Sequence, residues 1–362
     1  MMKRLIIAKT HYQVIFAIQM RKTIFVNDYV TLLVCDHSNK ADIYANNIAD
    51  LSIFDETHYV CTLGSNYRRS LFQRFEDFFN IAFCNNNRYI NFIKPLSERF
   101  YDELLVFNYS METYGIYSYL SAVNKNIMVS RFEEGILSYN GCIMLTFCRK
   151  IIGLCRRIQK KSVIEDHFRY FYCFYPELYN GNLAASYVPP IAVNGDTTEI
   201  IQRVFDVNID MNDYRRKYIY FASVCDFEGE DPIGEYQVVC RIAEKVGKDN
   251  LLIKVHPRDR RTVYQDNGFF VDKNSSIPWE AIQLSGDFSD KVFLTATSGS
   301  VLAGSLMTDN LIETFYVYKL CNVENNTLAI KTVSDIERLL SEEAMQSATK
   351  SVHIAESIES II

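Results

Sequence analysis

The sequence has no apolar run long enough to span a bilayer. Its first run, Leu5-Ile6-Ile7-Ala8, is interrupted by Lys9, Thr10, His11, Tyr12 and Gln13 before a secretory or membrane segment could be completed. A cytoplasmic chain that is not integral to the membrane is therefore expected. Basic charge is not in excess either: 38 Lys and Arg stand against 44 Asp and Glu, a net charge of −6. A nucleic-acid partner is excluded on that ground, because such proteins usually carry a strong basic surface. The ten cysteines are scattered, with no CxxC pair and no histidines at zinc-finger spacing. They read as reduced core residues of a cytosolic protein. Internal repeats and low-complexity tracts are also missing.

What is present is a packed globular composition, 48% hydrophobic and 23% charged over 362 residues. That length exceeds a single ordinary core and suits two domains. Short apolar runs alternate with longer helical patterns, the rhythm of parallel strands joined by crossover helices. In the first half, strands are predicted at Leu5–Ala8, Tyr29–Cys35, Glu56–Val60, Glu103–Phe107 and Asn126–Arg131, with helices at Thr10–Lys22 and Lys40–Leu51. A linker is expected near Tyr187-Val188-Pro189-Pro190, which divides the chain into residues 1–188 and 189–362. The rhythm then restarts with strands at Lys217–Ser223, Leu251–Val255 and Lys291–Thr295 and helices at Glu235–Val246, Ser276–Ile282 and Ser300–Met307. From Ser334 to the end, a helical pattern is expected to pack on a sheet. The fold class is α/β: two Rossmann-like domains facing a central cleft, the GT-B layout, with ligands beyond the carboxyl ends of the strands.

Four clusters fall at such ends. Glu133-Glu134-Gly135 follows a strand of the first half, where a carboxylate could take a proton from an attacking hydroxyl and a glycine admits close backbone approach. The same pair could equally be a solvated start to a loop. His256-Pro257 follows Leu251–Val255, and a histidine there could protonate or hydrogen-bond a leaving phosphate, or simply be placed by the proline turn. Ser298-Gly299-Ser300 opens a helix, as an anion site, an N-cap or both. Glu280, two residues after Pro278, could accept ribose hydroxyls or favour the helix dipole.

In order, these motifs resemble those of the bacterial sialyltransferases: an acidic-acidic-glycine motif, then His-Pro, then a serine motif. Lys9-Thr10-His11-Tyr12-Gln13 is also similar to the Thr-x-Tyr-Gln start of glycosyltransferase family 52, the lipooligosaccharide and capsule sialyltransferases. The polysialyltransferase family shares the three motifs. The resemblance implies Glu134 or Glu133 as general base, His256 as general acid or phosphate partner, Glu280 as ribose ligand and Ser298 and Ser300 as phosphate ligands. Gly135, Pro257, Gly299, Thr10, Tyr12 and Gln13 complete the expected substrate-binding set. An alternative base lies upstream of His-Pro among Asp226, Glu228, Glu230, Asp231 and Glu235. The implied reaction moves sialic acid from CMP-sialic acid to a glycan hydroxyl, with inversion.

No true Asp-x-Asp is present, since Asn208-Ile209-Asp210 has an amide in its first place and Asp226-Phe227-Glu228 only approximates the motif. Neither a metal nor a cofactor is expected. The 24 Tyr and 24 Phe against one Trp fit loops that grip a sugar as well as they fit a biased coding genome. A hexose transferase using UDP- or GDP-sugars and a non-catalytic capsule-assembly protein are the competing readings. Residues 148–161 combine Arg149, Lys150, Arg156, Arg157, Lys160 and Lys161 with Ile151, Ile152, Leu154 and Ile158. That pattern suits peripheral contact with the inner face of the cell membrane, or a helix with its apolar side in the core. Linkage, acceptor sugar and oligomeric state, a homodimer included, stay open.

Overall fold

The computed structural model describes residues 1–61, 70–84, 88–141, 147–223, 231–256, 259, 262–308, 312–343 and 351–361. The chain divides into two compact units. One comprises Met1–Glu134 and Tyr139–Pro189, the other Gly135–Ser138 and Pro190–Ile362.

The first unit holds a seven-stranded sheet of β1 (Lys3–Ala8), β2 (Tyr29–Cys35), β3 (Glu56–Val60), β4 (Glu103–Val106), β5 (Met128–Phe132), β6 (Phe168–Cys173) and β7 (Ala184–Tyr187). Their order is β3-β2-β1-β4-β5-β6-β7, and every pairing is parallel. The helices are α1 (His11–Thr23), α2 (Ala41–Asp50), α3 (Leu71–Phe83), α4 (Ile90–Ile93), α5 (Met111–Val123) and α6 (Phe147–Ile158). Central strands read as continuous apolar runs because helices cover both faces: Leu5, Ile6, Ile7 and Ala8 are all buried.

The second unit runs α7 (Asp196–Val204), β8 (Tyr218–Phe221), α8 (Glu235–Val246), β9 (Leu251–Lys254), α9 (Val263–Asp266), β10 (Phe270–Val271), α10 (Trp279–Leu284), β11 (Val292–Thr295), α11 (Ser300–Thr308), β12 (Glu313–Tyr316), α12 (Thr327–Ser341) and β13 (Val352–Ile354). Its parallel order is β10-β9-β8-β11-β12-β13. Two parallel-sheet Rossmann-like units make the fold α/β of the GT-B class, as the sequence rhythm predicts.

The tail differs from expectation. Helix α12 stops at Ser341, and Val352–Ile354 then adds a strand beside β12. Helix α10 begins at Trp279 and not at Ser276, since Pro278 takes the N-cap position. The strand order of each sheet reverses once, between β1 and β4 and between β8 and β11. These are the switch points where open α/β sheets receive ligands.

Candidate active site

Strand β5 leads straight into Glu133, whose amide still donates to the Tyr172 carbonyl of β6 at 3.0 Å. The Glu133 side chain has no solvent exposure. Its Oε1 accepts from the Tyr12 hydroxyl at 2.5 Å, and its Oε2 accepts from the Tyr139 hydroxyl at 2.5 Å and the Phe174 amide at 2.9 Å. Burial pushes its carboxyl up to about 7, and the three donors offset part of that shift. Glu134, one residue on, is half-buried. The turn then needs Gly135, whose φ of +72° is costly for any residue with a Cβ. Ser138 closes the turn by donating its hydroxyl to the Gly135 carbonyl at 2.6 Å. The two expected bases thus occupy different places: Glu133 is a fully buried anchor, and Glu134 is half-buried.

The Thr-x-Tyr-Gln start is built as a helix entry. Thr10 is the N-cap of α1 and accepts from the Gln13 amide at 3.3 Å, while the Gln13 side chain accepts from the Lys9 amide at 2.6 Å. Tyr12 and Gln13, expected to touch substrate, are both buried. Their contribution is to hold the end of β1 and, through Tyr12, the Glu133 carboxylate. No local pattern announces the pairing of Tyr12 with Glu133, because it joins residues 121 apart in sequence.

In the second unit, Ser298, Gly299 and Ser300 are half-buried after β11, at the switch point. The Ser298 amide donates to the Thr295 hydroxyl at 2.9 Å, and the Gly299 carbonyl accepts from the Leu302 and Ala303 amides, so the loop runs directly into α11. Ile136 packs beside Gly299: a Cβ added at that glycine would lie 3.4 Å from it. From the other side of the switch point, Ser223 accepts from the Thr297 amide at 3.0 Å. Ser223 is itself held by Glu235, whose two oxygens accept its amide at 3.1 and 3.0 Å, and the Tyr220 hydroxyl donates to Glu235 at 2.9 Å. Burial raises the Glu235 carboxyl to about 7.

The alternative base region thereby resolves in part. Glu235 is a buried support for the serine loop, and Asp231 caps α8 by accepting from the Glu235 and Tyr236 amides. Asp226, Glu228 and Glu230 lie outside the described residues, as does Pro257.

His256 is half-buried beyond β9, and its carbonyl accepts from the Asp259 amide at 2.8 Å. Two residues earlier sits a group that sequence reasoning missed. Lys254 is buried at the end of β9 and lies 3.2 Å from Asp272, which accepts from the Tyr214 hydroxyl at 3.0 Å. Burial lowers the Lys254 ammonium and raises the Glu280 carboxyl, and the charges of Lys254 and Glu280 act on each other. Glu280 is 9% exposed, on the first turn of α10. The available signal was a lysine closing the otherwise apolar run Leu251-Leu252-Ile253-Lys254.

Among the described residues, no three His, Cys, Asp or Glu side chains are grouped to hold a metal ion, and no helix is long and apolar enough to cross a membrane.

The family model for alpha-2,8-polysialyltransferases matches residues 4–282. That span takes in Glu133-Glu134-Gly135, His256 and Glu280 and ends before Ser298. It is the second of the two families that the motifs resemble. No curated protein matches the sequence. Among solved structures, a calicheamicin glycosyltransferase is similar at 9% identity, covering 96% of this chain and 92% of its own, with a TM-score of 0.48. A UDP-N-acetylglucosamine 2-epimerase is similar at 13% identity over 96% and 91%, TM-score 0.45. A UDP-glucosyltransferase from Polygonum tinctorium is similar at 10% identity over 97% and 93%, TM-score 0.48.

Proposed function

The chain belongs to the alpha-2,8-polysialyltransferase family, and from that premise we propose that it transfers sialic acid from CMP-sialic acid to a hydroxyl of a cell-surface glycan, with inversion and without a metal. In keeping with the family, the acceptor hydroxyl is that of a terminal sialic acid, on a lipooligosaccharide or capsular chain. The observation that carries this reading is the family match, which spans the acidic-acidic-glycine and His256 motifs in one alignment.

Glu134 is the general base that removes the acceptor proton as the oxygen attacks the anomeric carbon. Glu133 does not touch substrate; it positions Glu134 through its three fixed donors. As the bond to CMP breaks, negative charge gathers on one phosphate. His256 donates to that phosphate, and at the start of α11 the hydroxyls of Ser298 and Ser300, the Gly299 amide and a favourable helix dipole meet its charge. A single phosphate asks for less counter-charge than a departing diphosphate, which is why these groups suffice without a cation. Glu280 accepts the ribose hydroxyls, with Lys254 tempering its charge.

The test is CMP release from CMP-sialic acid with an oligosialic acid acceptor, beside thermal unfolding with CMP or UDP added. CMP should stabilise the protein more than UDP does, and Glu134→Ala and His256→Ala should each lower kcat by on the order of a hundredfold or more. Stabilisation by UDP in preference to CMP would overturn the donor assignment.

A further inference from the structure

Helix α3 has two apolar sides. One faces inward, where Ile81 and Ala82 join the core of the first unit. The other carries Phe72, Phe75, Phe79 and Phe83 at helical spacing, and these are 77%, 65%, 48% and 41% exposed. Helix α6 repeats the arrangement. Ile152 packs into the same core, while Phe147, Leu154 and Ile158, one face of the helix by their spacing of seven and four, stand out in solvent.

The two helices are locked together at one end. Arg156 Nη1 donates to the Ile81 carbonyl at 2.9 Å, Gln159 Nε2 donates to the Ala82 carbonyl at 3.0 Å, and Lys161 Nζ donates to the Phe83 carbonyl. These bonds satisfy the last carbonyls of α3, and two of the donors, Arg156 and Lys161, carry the charge its dipole favours. Arg156 is accordingly buried and is no part of a solvated basic face. Both inner sides join one core, so both outer sides point away from it.

Seven large apolar side chains on two adjacent helices form far more exposed hydrophobic surface than isolated surface residues do. Charge decides what covers them. Residues 149–161 contain six basic residues and no acidic one, in a chain whose net charge is −6. Lys150 and Arg157 flank the α6 stripe and are exposed, Arg157 in a solvent-exposed ion pair with Asp166 at 2.6 Å that is worth little and can open toward another anion. A second copy of the chain would bring the same positive charge against itself. Helices of 12 and 13 residues are too short to span a bilayer but suited to lie on one.

We propose that the outward face of α3 and α6 seats the protein on an anionic lipid bilayer, with the phenylalanines entering the headgroup boundary and Lys150 and Arg157 meeting lipid phosphates. This assignment does not depend on the identity of the sugar donor.

Flotation of the purified full chain with vesicles tests it. Wild type should float with phosphatidylcholine–phosphatidylglycerol vesicles and stay behind with phosphatidylcholine alone. Phe72→Ser/Phe75→Ser should weaken partitioning on the order of tenfold or more. Lys150→Gln/Arg157→Gln should weaken it roughly fivefold for each charge removed, an effect that added salt abolishes in wild type. All four positions are exposed, so circular dichroism should show an unchanged fold, and CMP release on a soluble acceptor should persist. The assignment is overturned if wild type fails to float with the anionic vesicles or if both double variants float as wild type does. It is equally overturned if sedimentation velocity finds a lipid-free dimer that Phe72→Ser/Phe75→Ser dissolves, since the face would then join two copies.

Discussion

Replacing Glu133 by Gln separates the anchor of the acidic pair from the proposed base. The carboxyl sits at about 7 in the folded chain against an ordinary 4.5. Between those values the folded state holds a proton that the unfolded state has lost, so stability falls as pH rises. The stabilising contribution is complete below about 4.5 and is lost as pH climbs through about 7. Its size follows from the separation of the two values, roughly 3 kcal/mol.

Glutamine has no such dependence. Its carbonyl can take the two donors now on Oε2, the Tyr139 hydroxyl and Phe174 amide, while its amide faces Tyr12, whose hydroxyl can turn to accept. The substitution itself should therefore cost only about 1 to 2 kcal/mol. Urea unfolding of both proteins at pH 5, 6, 7 and 8 isolates the effect, because other buried carboxyls such as Glu165 and Glu235 cancel in the difference. Glu133→Gln should be the less stable protein at pH 5 and should gain on wild type by roughly 3 kcal/mol by pH 8. Its kcat should stay within about tenfold of wild type, against the hundredfold or greater loss expected for Glu134→Gln. A stability difference that is flat with pH, or an activity loss equal to that of Glu134→Gln, would refute the division of roles.

Gly135→Ala tests the left-handed turn. The nearest atom to an added Cβ is the Ala303 Cβ at 3.7 Å, so the cost is backbone strain and not collision, about 1 to 2 kcal/mol by chemical denaturation. Lys254→Met leaves Asp272 buried without its cation and should cost about 3 to 5 kcal/mol. Adding Asp272→Asn, which keeps an acceptor for Tyr214, should recover much of that loss. A double variant no more stable than Lys254→Met would show that the pair is not what the substitution breaks.

Central strands such as β1, β2, β4, β8, β9 and β11 were legible because burial on both faces writes them as apolar runs, whereas no strand was expected at β6, β10 or β12. Tyr29–Cys35, Glu56–Val60 and the helix Glu235–Val246 have the limits that their residues suggest. Strand β7 was not legible, since Ala184-Ala185-Ser186-Tyr187 is a mostly exposed edge with no apolar signature. Strand β13 has three residues and takes its identity from pairing with β12. The site divides in the same way. Gly135 and the serine-rich start of α11 announce themselves through backbone demands that are local. The supports are invisible locally: Glu133 depends on residues 12, 139 and 174, and Lys254 on Asp272 across the sheet. A buried carboxylate and a half-buried one are spelled alike until the chain has closed around one of them.

The polypeptide passes between its two units three times: out at Gly135, back at Tyr139 and out again at Pro190. A thread that crosses once joins two beads that a single cut can part, whereas this one is stitched. Residues 1–189 expressed alone would carry four residues whose folding partners, Ala303 and Gly299 among them, had been left behind. The stitch begins at the residue directly after Glu134. A half-protein would therefore leave the residues just beyond its acidic pair without the neighbours they have in the whole chain.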